Sequence, residues 1–580
     1  MKRHSDTKLQ RGAWRFSPLL LGLIAACSSL GCRGGEGEPV AQEAVEANQT
    51  DVEDSAPEPE SIPRSGDPTS LLIADVATLE ATDLALVERL DLALSELDAQ
   101  ERPLPLPEPE PTSEAGVEIE AETTGAVDPA VQVRVHPRCE GLDLHALAER
   151  APRLRALRIS GCQAAVHSGL SAFGPRLREL ELVDIQLDAV TIARLSQLHG
   201  LDTLILTRVH SEPDALKPLA RKISPQSLIL RELADASPVA ELLGILPDLR
   251  HVRIEGPWAT HDTMILAGKA KRLESLAVID TTIGNYSLHQ IKPLDHLHRL
   301  EWAGVGFNDS TPLFLKELPL DELICNCTKL GDKGLHYLAL LQQLRVLELT
   351  RTQISSAGLA ELTVLRSLER VVIRDSSFDG DGFAALAQLP ALRELILAPG
   401  VLDDPEAPHL GEILGLRTLE LDLQGFDDRA APQLASLVQL ERLDLGGAAI
   451  SDEGLEHLAP LVHMRELELH HTRVTKLGLR QLAGMSGLEV LELDHTDVVD
   501  EGVAQLVGLQ ALRELRLDHT LITDAALVHV AKLAKLERLN LADTVVTAEG
   551  VKLLAALPEL ESVNLQGTRA SGRPDERPDE

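Results

Sequence analysis

Between Leu154 and Leu560 one phrase recurs eighteen times, close to L-x-x-L-x-L-x-x-T-x-[IV]. The copies step by 24 residues in fifteen cases and by 23 in two, with Pro225 and Met464 replacing the first leucine. A period this regular constrains the fold more than any other feature. Each unit is too short to enclose a core, so neighbouring units must stack into a solenoid. In the copy at Leu488, Leu491 and Leu493 alternate with Glu492 and read as a short strand. Thr496 stands where the chain leaves that strand, in a slot also held by Thr328, Thr352, Thr472, Thr520, Thr544 and Thr568. Its hydroxyl can bond the backbone of the turn. The second half, SDEGLEHLAPL at Ser451, reads as a short helix with Ser451 or Asp452 as its cap. Leu455, Leu458 and Leu461 make its apolar face.

This pattern resembles the leucine-rich repeat family. ISDEGL at Ile450 and ITDA at Ile522 are most similar to its cysteine-containing class, with Thr in place of the usual Cys. The resemblance covers about residues 130–568 and implies an α/β horseshoe, with a parallel sheet on the concave side and helices on the convex side. Eighteen strands at about 4.8 Å spacing would give an inner surface on the order of 85 Å long. Counting the first leucine as zero, offsets two, four and six face the concave side and offset seven lies at its edge. Those letters vary while the core letters stay fixed. The family's motif describes packing, so it names no ligand.

The flanks carry different signals. Lys2, Arg3, Lys8, Arg11 and Arg15 precede an apolar run, Pro18 to Ala26, that is too short to span a bilayer. Ile24-Ala25-Ala26-Cys27 resembles a bacterial lipobox, which implies cleavage after residue 26 and lipidation of Cys27; Ser28 after it points to the outer membrane. An ordinary signal peptide is the alternative. Residues 33–127 hold 24 Asp/Glu and 4 Lys/Arg, a balance of −20 within a chain total of −36. Residues 27–68 therefore read as an acidic disordered tether and 101–129 as a Pro/Glu-rich linker. Between them, 69–100 reads as an amphipathic helix, and 569–580 as a charged tail. An irregular first rung is expected near Ala130, with Val133 and Val135 in its strand. It would bring Cys139 near Cys162, either as a disulfide closing the N-terminal end in an oxidising envelope or as two buried thiols. Cys325 occupies a core leucine slot and reads as a small hydrophobe; a bond from it to Cys327 would be strained, and a two-Cys metal site lacks further ligands nearby.

Net acidity argues against nucleic acid and against anionic membrane surfaces as partners, leaving a lipid anchor as the membrane contact. No catalytic signature is present, so no enzyme activity, cofactor or assigned metal is expected. The stacked rungs do produce one local pattern. His471, His495 and His519 share offset seven; His470, Asp494 and Asp518 share offset six; Glu468, Glu492 and Arg516 share offset four, continued backwards by Glu420 and Asp444. With Glu466 these form the candidate ligand surface, suited to a cationic protein or peptide; Arg442, Arg465 and Arg513 would screen its carboxylates. A metal-dependent binder or enzyme built on the His/Asp column, and an assembly protein without a single ligand site, are the alternatives. Apolar offset-four residues Ile205, Ile229, Ala277, Ile324, Val372 and Ile396 suggest a second, drier contact surface.

Overall fold

A computed structural model describes residues 89–92, 117–122, 130–135 and 144–571, apart from 235–237, 305 and 405–406. Within them one parallel sheet of 20 strands runs the length of the repeats. Eighteen are the expected rung strands, paired in sequence order with the repeat as their register: Glu466 lies beside Val490, and Val490 beside Glu514. The return limbs are single turns of α- or 3-10 helix, such as Asp500–Val503 followed by Ala504–Gly508, or the α-helix Asp524–Val530. No helix among the described residues is long and apolar enough to cross a membrane.

The fixed letters do what their periodicity requires. Leu488, Leu491, Leu493 and Val498 are all fully buried, as are Leu455 and Leu461 from the helical limb. The last rung is an internal control. No described rung follows it, and its Leu560, Val563 and Leu565 are only partly buried. Burial therefore comes from the neighbour and not from the rung itself.

Two polar devices order the repeat, one within a rung and one between rungs. The threonine hydroxyls at 472, 496, 520, 544 and 568 donate to the carbonyl three residues earlier, at 2.5 to 2.7 Å, which closes the turn out of the strand. These bonds lie within one rung and not between copies. The second device does link rungs. Ser451 caps its own helix, accepting from Glu453 N–H at 3.2 Å. Asp452 instead turns to the next rung, where it accepts from the N–H of Thr475 at 2.8 Å, the hydroxyl of Thr475 at 2.6 Å and the N–H of Gly478 at 2.9 Å. Asp332, Asp428, Asp500 and Asp524 clasp Ser355, Ser451, Thr523 and Thr547 in the same way. A Cβ on Gly358, Gly454, Gly478 or Gly550 would overlap the incoming carboxylate, which explains the D-x-G spacing of the repeat.

Several expectations need correction. The strand beside Ala156–Ser160 is Arg89–Leu92, inside the segment read as helical. Ala130–Val135, read as the first rung, pairs antiparallel with Val117–Glu122 inside the stretch read as linker. Four-residue pairing needs no repeat letters, so nothing in the period announces it. Cys325 and Cys327 are fully buried and joined as a disulfide. The chain leaves the strand after Asn326, and the turn brings the two Cα atoms to 5.4 Å, within the range a disulfide spans. Cys327 takes the inward position there and Thr328 is exposed; the hydroxyl of Thr352 is buried without a partner. Cys162 is disulfide-bonded, while Cys139 and Cys27 lie outside the described residues, as do 1–88 and the charged tail from 572 onwards.

Replacing fully buried Leu515 with Asp should cost about 3 kcal/mol or more by urea unfolding. Val563→Asp in the last rung should cost clearly less; equal costs would contradict neighbour-dependent burial. Asp452→Ala, which removes three inter-rung hydrogen bonds, should lower stability by about 1–3 kcal/mol in the same assay.

Candidate functional site

The site starts from a backbone constraint. At offset seven, fifteen of the eighteen rungs take a positive φ, among them Asp184, Gly256, Asp280, Gly447 and Asp543. This left-handed turn lets the chain leave the strand, and Gly, Asn, Asp and His adopt it at least cost. His471, His495 and His519 hold it with φ of 55°, 54° and 54°. Their N–H groups donate to the carbonyls of Asp494, Asp518 and Ala542 at 3.0, 3.1 and 2.9 Å, so the sheet ladder fixes each one against the next rung. The result is a stack of imidazoles, with ring centroids 4.0 Å apart from His471 to His495 and 4.0 Å from His495 to His519.

Offset six lies alongside. Asp494 Oδ2 is 3.3 Å from His495 Nδ1, and its Oδ1 is buried with no hydrogen-bond partner. Asp518 is better satisfied: Oδ2 is 3.4 Å from His519 Nδ1, and Oδ1 accepts from Asn540 Nδ2 at 2.6 Å. His519 Nε2 also lies 3.4 Å from Asp543. His470 lies across Gly446 of the preceding rung, where any Cβ would overlap its ring. Its buried Nδ1 has no hydrogen-bond partner and sits 3.9 Å from Glu492.

Offset four forms an acidic column in which Glu420, Asp444, Glu468 and Glu492 follow one another in register, ending at Arg516. Arg442 donates to Glu466 and Glu468, both at 2.7 Å, and Arg516 to Glu492 at 3.1 Å. Arg465 and Arg513, expected to screen this column, serve another one. At offset one Arg417, Glu441, Arg465, Glu489, Arg513 and Glu537 alternate in sign and pair along the sheet's edge. The acidic column is therefore under-compensated. Burial pushes the Glu468 carboxyl up to about 8, helped by the neighbouring Asp444 and opposed by Arg442. Burial raises Glu492 and Glu420 as well.

The structure thus gathers Glu466, Glu468, His470, His471, Glu492, Asp494, His495, Arg516, Asp518 and His519 on one stretch of sheet. Three groups in it bring His and carboxylate donor atoms within 4.8 Å of one another: His471–Asp494–His495, His495–Asp518–His519 and Asp444–Glu468–His470. Gly446 was missed as a site residue, and Asp444, read from the sequence only as a continuation of the offset-four column, joins the site. The recurrence of Gly and Asp at offset seven signals the left-handed turn.

The apolar surface expected at offset four is not exposed. Ile205, Ala277, Val372 and Ile396 are buried, and Ile229 and Ile324 are half-buried. Val372 packs with Ile396 and Ala398, and Arg370 and Arg374 on either side of Val372 reach Glu348, Glu394 and Glu420. Similar pairs, Arg231–Glu255, Arg253–Glu301 and Arg299–Glu301, run over the N-terminal rungs.

The sheet topology defines the class: this is a leucine-rich repeat solenoid. A Leucine Rich repeat model matches residues 439–459 and 532–555. Similar solved structures include an LRR protein of Leptospira interrogans, at 16% identity and TM-score 0.43, over 66% of this chain and 93% of that one. TLR13 in complex with ssRNA13 aligns at 19% identity and TM-score 0.48, over 72% and 67%. The plant peptide hormone receptor RGFR1 in complex with RGF2 aligns at 14% identity and TM-score 0.31, over 72% and 83%. Comparison with curated sequences gave no match.

The raised Glu468 has a stability consequence. It keeps its proton in the fold up to about pH 8 but loses it near its ordinary 4.5 once unfolded. Its contribution is fully present below pH 4.5 and is lost as pH rises towards about 8. Glu468→Gln should therefore raise the melting temperature at pH 8 while leaving it unchanged near pH 4.5. Parallel melting curves for both proteins across that range would refute the assignment.

Proposed function

We propose that this chain is a non-enzymatic, envelope-anchored scaffold that holds a cationic protein or peptide segment on the concave face of its solenoid. The observation that carries this reading is the under-compensated acidic column. Glu468 and Glu492 are only 13% and 14% exposed, in register with each other and with Asp444. Crowding half-buried carboxylates costs folding energy that the leucine core does not require. Cationic side chains laid along the column would relieve that cost and fill the orphaned acceptor on Asp494. The acidic tether would give the solenoid reach from a lipid on Cys27, and the signal sequence with Ser28 favours the outer membrane.

Titration with an oligolysine peptide tests the partner chemistry. Binding should be salt-sensitive, and the triple variant Glu468→Gln, Glu492→Gln, Asp494→Asn should weaken it about tenfold or more, or about 1.4 kcal/mol. Unchanged affinity, or equal binding of oligoglutamate, would sink the reading. For the anchor, fatty acid labelling in cells should mark the wild type and miss Cys27→Ala. Label on both proteins, or on neither, would remove Cys27 as the lipid site.

A further inference from the structure

We propose that the strand-exit edge of the Met464 and Leu488 rungs holds one divalent transition-metal ion of the zinc class, bound by His471, Asp494 and His495. The ion would take the same Asp494 carboxylate that the partner reading offers to a cationic side chain, but it would bind with no partner present, so metal titration of the free chain tests it separately.

The donor set selects the metal. Two imidazoles and one carboxylate suit zinc and its neighbours, whereas calcium and magnesium favour shells of oxygen ligands. The donor atoms of the three residues already lie within 4.8 Å of one another. Tetrahedral bonds of about 2.0–2.2 Å would place them about 3.4 Å apart, so closing the site requires small rotations of side chains at an accessible edge. The backbone needs no rearrangement: the sheet ladder fixes both histidines one rung apart, with their rings stacked at 4.0 Å.

The unmet bonding decides between the three possible groups. The Asp444–Glu468–His470 group also has an unpartnered atom, His470 Nδ1, but it offers a single imidazole, and its carboxylates already accept from Arg442 at 2.7 Å and from Gly446 N–H at 2.8 Å. In the His495–Asp518–His519 group, Asn540 holds Asp518 Oδ1 at 2.6 Å and Asp543 faces His519 Nε2 at 3.4 Å. Asp494 differs. One oxygen faces His495, and the other is buried with no hydrogen-bond partner. A cation held at the ring nitrogens of His471 and His495 would take the Asp494 carboxylate as its third ligand. Three protein ligands leave the fourth position to water or to an incoming donor.

The test is calorimetric titration of ZnCl2 into the tag-free full chain after EDTA stripping, repeated with CoCl2 and read by visible absorption. The expected result is one ion per chain. Binding should fall in His471→Ala and in His495→Ala by more than the about 10–100-fold that loss of a ligand's supporting hydrogen bond costs. His519→Ala should bind like the wild type. Melting curves confirm that each variant is folded; where an alanine variant is not, the Asn replacement takes its place. Absence of zinc binding to the wild type overturns the proposal. So does unchanged binding by His495→Ala, or equal loss in His519→Ala.

Discussion

No rung of this chain can bury its own leucines; each depends on the rung beside it. The contrast between Leu488, fully buried, and Leu560, part-exposed at the end of the stack, expresses this constraint directly. The aspartate clasp adds direction to the stacking. Asp452 caps the start of the following helical limb, and Gly478 leaves room for it. Because pairing is in sequence order and in register, every repeat letter becomes a column. Core letters become leucine columns, and surface letters become columns of charge or of rings.

That conversion makes the electrostatics of neighbouring rungs decisive. Along the offset-one edge, arginine and glutamate alternate and each finds an opposite charge on the next rung. Over the rungs that precede the acidic column, arginines pair with glutamates beside the apolar offset-four residues. Single surface pairs of this kind contribute little each. Their importance here is as the background against which the Glu420–Glu492 column departs. There, like charges meet in register, Glu468 is pushed up to about 8, and Asp494 and His470 carry buried atoms without hydrogen bonds. Local conflict with the rules obeyed by the rest of a fold marks surface kept for something other than stability.

Much of this was legible in the sequence. The period specified the parallel sheet and its register, the leucine spacing specified the core, and strand alternation placed His470, Asp494 and Glu468 on one face. Four features were not legible, each for a physical reason. Arg89–Leu92 adds to the sheet through backbone pairing, which needs no repeat motif. Cys325 and Cys327 look like two independent core residues until the turn brings their Cα atoms to 5.4 Å. The offset-four isoleucines look exposed because alternation records direction and says nothing of how neighbouring rungs pack side chains of the same face against one another. Gly446 looks like an unremarkable letter because its purpose, space for the His470 ring, belongs to the rung that follows.

The central claim is that the offset-four, six and seven letters of the Met464, Leu488 and Leu512 rungs are surplus to folding. Other rungs already place Asn540, Ala542 and Gly567 in those slots. One variant can carry Asn, Ala and Gly there in all three rungs, and its thermal unfolding is the direct measurement. The account predicts a melting temperature at pH 8 equal to or above that of the wild type, because the crowded carboxylates are gone. A fall comparable to that of a buried-leucine substitution would show that these residues serve the scaffold, and would contradict the account.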